Sequence, residues 1–297
     1  FAMPWAERVM KATDGKVEVK VYPAMQLGGK PQDLYNQAKN GVVDIVYTGQ
    51  GYTPGRFPKT EVVGLPFITT SAEAGGPAMM ELYESHLKDE YAETVPMMFI
   101  MSPTTGLFTT KKVTKMEDLK GLKIRTGSRS QGDGIKALGA NAIGMPINSV
   151  VESLQRGVID GVLTSWAVNK TFKLYEGTDY NVEIAGYSGA PFMMTMNPSI
   201  WKSLPSDIQA KIREVSSIEF SRELGRVWDQ DDVEGRKVAE QKSETFELKG
   251  EEYERWKQAV TPVIDEFIAD MKSKGVDGAE LVAAAREVMA KNEKLRQ

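Results

Sequence analysis

The chain has no cysteine and a single histidine among its 297 residues. The first absence excludes disulfides, thiol nucleophiles and thiolate metal sites. It leaves the cellular compartment open. The lone His86 lies in the polar stretch Glu81–Glu90, which reads as a surface helix. No Gly-x-Ser-x-Gly elbow accompanies it, so Ser-His-Asp chemistry is not expected. No apolar run reaches the roughly 18 residues of a membrane span. Charge of one sign is also lacking, because 37 Lys and Arg stand against 41 Asp and Glu, for a net −4. The densest basic run, Lys111-Lys112-Val113-Thr114-Lys115, is short and reads as a solvated turn, so no nucleic-acid partner is expected. A P-loop, a dinucleotide glycine motif and metal-ligand spacing are missing too. The expectation is a protein with no catalytic residues, no metal and no cofactor.

What the chain does have is a repeat. Residues 41–48 read Gly-Val-Val-Asp-Ile-Val-Tyr-Thr, and residues 157–164 read Gly-Val-Ile-Asp-Gly-Val-Leu-Thr. Each copy follows a helix-like stretch, Leu34–Asn40 or Val150–Arg156, with Gly at the helix exit and a β-branched run after it. Either the chain holds two similar α/β lobes, or ordinary helix-to-strand loop chemistry occurs twice by chance. At this length two domains of ordinary size are expected. A composition of 41% hydrophobic and 26% charged residues fits a globular protein. Lobes of this kind hold a ligand between them, at the carboxyl ends of their strands.

The remaining pattern is a strand–helix alternation, which predicts α/β lobes with mostly parallel sheets. Lys16–Tyr22 alternates, with Val17, Val19 and Val21 apolar, and reads as a strand. Further strands are expected at 44–48, 97–101, 106–110, 122–126, 142–145, 180–184 and 192–197. Helices are expected at 31–39, 72–91 and 131–138. Ser206-Asp207-Ile208-Gln209 reads as a capping box that opens a helix running to about Lys242. Thirty-odd residues would extend on the order of 50 Å, enough to bridge both lobes. The tail, 251–271 and 277–294, reads as helical. The expected division is 1–102 plus 190–229 for lobe I and 103–189 plus 230–297 for lobe II. The first residues already read as a helix, so a leader segment is expected to have preceded them.

Arg125 is the sharpest candidate. It follows Leu122-Lys123-Ile124, where a parallel strand would end at a cleft, and a guanidinium makes two parallel hydrogen bonds to a carboxylate. The alternative is a surface arginine paired with a nearby acid. Trp166 follows the second repeat and offers a flat apolar wall, unless it is core packing between helix and sheet. Tyr47, Gln50 and Phe67 take comparable places in the first lobe. Ser128 and Arg129 precede a helix whose N-terminus favours an anion. Thr164, Ile147 and Phe192 complete the candidate set.

Several segments then resemble one family. Asp118-Leu119-Lys120-Gly121-Leu122-Lys123-Ile124-Arg125 is similar to the central motif of solute-binding proteins of tripartite ATP-independent periplasmic (TRAP) transporters. So are Ala137–Asn141 with Met145-Pro146, the stretch Leu154–Gly161, Leu65-Pro66-Phe67, and Leu204-Pro205. The resemblance covers nearly the whole chain in order. It implies a two-lobed, type II-like periplasmic binding protein, expected to be monomeric, that closes on an organic acid and delivers it to TRAP permease membrane subunits. In the family the arginine of the Lys-Ile-Arg motif clamps the ligand carboxylate, and Arg125 stands there. Two departures matter. Many relatives carry Gln-Glu-Asn-Pro after the Asp-Gly pair, where this chain has Val162-Leu163-Thr164-Ser165-Trp166, so Thr164 replaces an asparagine contact. A second arginine is replaced by Leu107-Phe108. The resemblance then implies a monocarboxylate with apolar or aromatic bulk. A C4-dicarboxylate or keto-acid receptor, or a receptor that feeds a signalling protein, is the alternative. An enzyme on a similar scaffold is disfavoured by the missing nucleophile–base motif.

Overall fold

A computed structural model describes residues 1–296. The chain runs α1 (Ala2–Ala12), α2 (Leu34–Lys39), β1 (Ile45–Gly49), α3 (Ala72–Leu82), β2 (Val95–Met101), β3 (Gly106–Thr109) and β4 (Lys123–Thr126). It continues through α4 (Arg129–Ala137), β5 (Asn141–Gly144), α5 (Val150–Gln155), β6 (Gly161–Thr164), α6 (Trp166–Phe172), β7 (Tyr180–Glu183) and β8 (Pro191–Met196). It ends with α7 (Pro198–Ser203), α8 (Ser206–Val215), α9 (Ile218–Glu240), β9 (Glu244–Glu247), α10 (Gly250–Val260), α11 (Pro262–Ser273) and α12 (Gly278–Glu293).

Two sheets organise the molecule. The larger has the order β5-β4-β6-β3-β7-β9. It is parallel-rich: β4 pairs parallel with β5 and β6, and β7 with β9, while β3 is antiparallel to both its neighbours. The smaller has the order β1-β8-β2, and both pairings are antiparallel, against the expectation of mostly parallel sheets. Its central strand arrives from far along the chain, so it could be placed only by tertiary pairing. Methionines dominate its core, with Met97, Met98, Met101, Met193, Met194 and Met196 all buried.

The two copies of the repeat form the same local structure. Gly41 and Gly157 sit at φ of 72° and 66°, the left-handed exit from α2 and α5 that a Cβ would strain. The copies then diverge. β6 enters a parallel pairing, whereas β1 pairs only antiparallel among the described residues.

Strands from 45–101 and 191–196 build lobe I, and strands from 106–183 and 244–247 build lobe II. The C-terminal helix departs from the expected division. α12 packs on α3 of lobe I, where Arg222 Nη2 of α9 donates to Asn292 Oδ1 at 2.7 Å and Lys291 pairs with Glu81.

Three expectations change. Lys16–Tyr22 makes no strand, because no neighbour completes a ladder, although Val17 and Val19 still pack on the lobe I core. Ser206 is the first residue of α8 and not its cap; Gln209 Nε2 donates instead to the Trp201 and Leu204 carbonyls. The long helix breaks at Ser216-Ser217, where Ser217 turns extended and its hydroxyl accepts from Phe220 N at 3.2 Å. A serine in that geometry starts a new helix. The 23 residues of α9 still span roughly 35 Å. Phe220, Leu224 and Trp228 are buried at helical spacing along it, and it packs on both α3 and α6.

Candidate functional site

A cavity of about 220 Å³ lies where the two lobes meet. One wall is aromatic. Tyr47 of β1 stacks on Phe192 of β8 at 5.7 Å, Phe192 lies 5.4 Å from Trp228 of α9, and Phe1 lies 4.8 Å from Trp228. Strand pairing explains the stack, since Tyr47 faces Met194 and Gly49 faces Phe192 in the ladder. The opposite side comes from lobe II, with Ile147, Leu163, Val168 and Phe172 as apolar groups and Thr164, Ser165, Ser128 and Gln131 as polar ones.

Arg125 is the one charged side chain in this lining. It is 4% exposed. β4 carries it to the cavity as the third residue of a four-residue strand between β5 and β6. Its Nε donates to the Met145 carbonyl at 2.9 Å and its Nη1 to the Leu163 carbonyl at 3.4 Å. These bonds aim the fork and leave further N–H donors toward the cavity. Burial pushes the guanidinium below its usual value, and the neighbouring Tyr52 hydroxyl works against that shift. No acid pairs with Arg125 among the described residues. Burying a cation without a carboxylate partner is costly. A protein that keeps one gains by completing the pair with something else.

The lobes touch closely around this point. Tyr52 of lobe I reaches Arg125 of lobe II. A Cβ at Gly51 would lie 2.2 Å from the Gly127 carbonyl oxygen. Glu61 Oε2 accepts from Ser130 N at 2.9 Å, at the start of α4. Burial pushes the Glu61 carboxyl up, while the Ser130 bonds and Arg129 pull it back. Ser128 Oγ caps α4 from within lobe II, accepting from Gln131 N at 3.3 Å.

The cavity brings together Arg125, Tyr47, Ser128, Ile147, Thr164 and Phe192. Four other candidates lie outside it. Trp166 opens α6 directly after the Ser165 cap, and its ring turns behind the sheet, edge-on to Phe108 at 4.9 Å. It is core packing. Phe67 takes a left-handed backbone at φ 61°, which sends its ring away toward Tyr187 and Tyr253. Gln50 is buried within lobe I, its Nε2 donating to Tyr91 Oη at 3.2 Å. Arg129 faces outward, paired with Asp133 and Asp270, beside a second cavity of about 240 Å³. Gln50 and Trp166, expected at comparable places in the two lobes, therefore both lie outside the cavity lining. Tyr52, Trp228, Phe172 and Val168 belong to the lining without having been singled out from sequence. Tyr52 sits in the turn-rich loop after β1, and nothing in the spacing there marks an aromatic as functional. Trp228 shows the same period as the helix core.

Residues 1–270 match the model for bacterial extracellular solute-binding protein, family 7. The chain belongs to this family. A TRAP solute-binding protein from Rhodoferax ferrireducens T118, solved in complex with copurified benzoate, is 35% identical. The match covers 99% of this chain and 94% of that one, with a TM-score of 0.96. A marine metagenome TRAP protein specific for aromatic acid ligands, solved with 3-hydroxybenzoate, is 34% identical over 98% of this chain and 93% of that one, with a TM-score of 0.94. Among curated proteins, the C4-dicarboxylate-binding periplasmic protein DctP of Rhodobacter capsulatus is 27% identical over 301 residues, 97% of this chain and 86% of that protein. The chain is a solute receptor of the TRAP type and not an enzyme. No helix among the described residues is long and apolar enough to cross a membrane.

Proposed function

We propose that this receptor binds an aromatic monocarboxylate in the periplasm and delivers it to the membrane subunits of a TRAP permease. The observation that carries the reading is the buried Arg125 guanidinium, without an acidic partner among the described residues, in a cavity whose other wall is aromatic and whose remaining polar groups are uncharged side chains. A carboxylate would take the free N–H donors of Arg125, within reach of the Tyr52 hydroxyl. The body of the acid would lie against Phe192, Tyr47 and Ile147. Size supports a single ring, because an apolar cavity of about 150 Å³ already holds benzene, and this one measures about 220 Å³. Charge supports one carboxylate, because no second charged side chain among the described residues lines the cavity. The relatives at 34–35% identity that hold benzoate and 3-hydroxybenzoate support the same class. Binding would shift an open–closed equilibrium toward the closed arrangement.

Thermal unfolding with a panel of acids tests this. A ligand at 100 times its dissociation constant adds about 2.7 kcal/mol, so benzoate or 3-hydroxybenzoate should raise the melting temperature of a chain this long by roughly 4–5 °C. Benzamide, which keeps the ring and loses the charge, should do nothing. Stabilisation by succinate with none from the aromatic acids would overturn the proposal.

A further inference from the structure

Of the three aspartates of the bridge helix α9, Asp231 pairs with Lys170, while Asp229 and Asp232, one turn apart, each reach the N-terminus of a helix from a different lobe. Asp229 accepts from Ala72 N and Glu73 N, both at 2.9 Å, at the start of α3 in lobe I. Asp232 accepts from Ala167 N at 2.8 Å at the start of α6 in lobe II, with Trp166 N and the Ser165 hydroxyl beside it. Two glycines flank the pair and allow the same close approach. A Cβ at Gly225 would lie 2.3 Å from the Ala72 carbonyl oxygen, and one at Gly235 would lie 2.3 Å from the Trp166 carbonyl oxygen. α9 thus meets the first turn of each helix in the same way, with a glycine for contact and a carboxylate for the free N–H groups.

Neither aspartate lines the cavity, but α6, whose first turn Asp232 holds, does. α6 is the continuation of β6, and Thr164, Ser165 and Val168 all line the site. Trp228, next to Asp229, lines it from α9 itself. We infer that Asp229 and Asp232 are positioning residues: two pins that seat one helix of each lobe on the same continuous helix and so set the relation of the lobes across the ligand site. Burial of the pair agrees with this. Asp232 is pushed up to about 7, first by burial and further by Asp229. Asp229 is raised by burial as well. Two like charges held this close, largely out of water, are costly to keep together, and the helix N-termini they cap account for their place.

The absence of cysteine gives a clean readout. Val42 and Val158, exposed and at matching places in the two repeats, can each be replaced by cysteine and spin-labelled. One label then reports lobe I and the other lobe II. Asp232→Ala and Asp229→Ala should broaden and lengthen the inter-lobe distance distribution. Asp232→Asn, which keeps an oxygen acceptor for Ala167 N, should leave it as in the parent. Glu234→Ala, which removes an α9 carboxylate paired among the described residues with Lys237 alone, should also leave it unchanged. Should Asp232→Ala not fold, Asp232→Glu moves the carboxylate one methylene further and is expected to shift the same distance. In titrations with benzoate, Asp232→Ala should weaken affinity by about tenfold, with rescue by Asp232→Asn. That second arm rests on the ligand proposed above; the distance arm does not. If the parent fails to bind benzoate, the ligand reading falls while the distances still judge the pins. Distances in Asp232→Ala and Asp229→Ala that match the Glu234→Ala control would overturn the inference.

Discussion

Replacing Arg125 should separate binding from stability. In the folded chain its guanidinium is 4% exposed and held by two backbone carbonyls, with no acid paired to it among the described residues. Truncating one partner of a buried charge pair costs about 2–5 kcal/mol. Arg125→Ala should therefore weaken benzoate binding by roughly 30- to 5,000-fold. Arg125→Lys keeps the charge but loses the planar fork and the Met145 anchor, so it should fall between parent and alanine. The ligand-free proteins should move the other way. An unpaired buried cation destabilises the fold that holds it, so Arg125→Met, close in volume and neutral, should melt at or above the parent without ligand. Calorimetric titration with benzoate and unfolding of the ligand-free proteins measure the two effects on the same samples. Arg125→Ala binding within about threefold of the parent would refute the assignment. A ligand-free Arg125→Met that melts several degrees below the parent would show that Arg125 is a structural group.

Three further outcomes follow from the geometry. The Asp232 carboxyl sits at about 7 in the folded chain against 3.8 ordinarily, so between those values the folded state binds more protons and this group makes stability fall as pH rises. Asp232→Asn lacks that slope; it should match the parent near pH 4 and exceed it at pH 8 by at most about 4 kcal/mol, and a difference independent of pH in denaturant titrations would contradict the burial argument. Glu61→Ala leaves Ser130 N without its acceptor across the lobes, which should weaken benzoate binding by about 1–3 kcal/mol; equal affinity would mean the contact does not contribute to closure. Phe192→Ala removes the ring stacked on Tyr47 and should lower benzoate affinity by about 1 kcal/mol while admitting bulkier acids, as read from a panel of ring-substituted benzoates.

Local chemistry was legible where it is self-contained. The glycine exits before β1 and β6, the short strand carrying Arg125, and the serine-capped start of α4 follow from neighbouring residues, and the structure has all of them. What the sequence hid depends on partners distant in the chain. Lys16–Tyr22 alternates as a strand would, yet a strand exists only where a neighbour completes its ladder. The edge strand β9 carries no strong period of its own and forms because β7 is there to pair with. Side-chain direction was the other gap. Trp166 does follow a strand end, that of β6, whereas Phe67 follows the 3-10 turn Thr60–Gly64 and no strand, and a serine cap and a left-handed backbone turn their rings away from the cavity. Tyr52 and Trp228 face the site for reasons of packing that no spacing encodes. The break at Ser216-Ser217 shows the reverse case, in which two serines carried the signal and an otherwise continuous helical pattern masked it.

The order in which strands join the two sheets also constrains how this chain can fold. The central strand of the small sheet, β8, lies about ninety residues after the strand it pairs with on one side and nearly 150 after the strand on the other. The edge of the large sheet is closed by a strand at residues 244–247, after the chain has returned through lobe I and along α9. Neither lobe is a contiguous piece, so neither can complete itself while the rest is still being made. Loop closures of that length must come before the contacts that repay them, which makes for slow folding. Each sheet can then be completed only after a late strand, residues 191–196 for the small one and 244–247 for the large one, has been made.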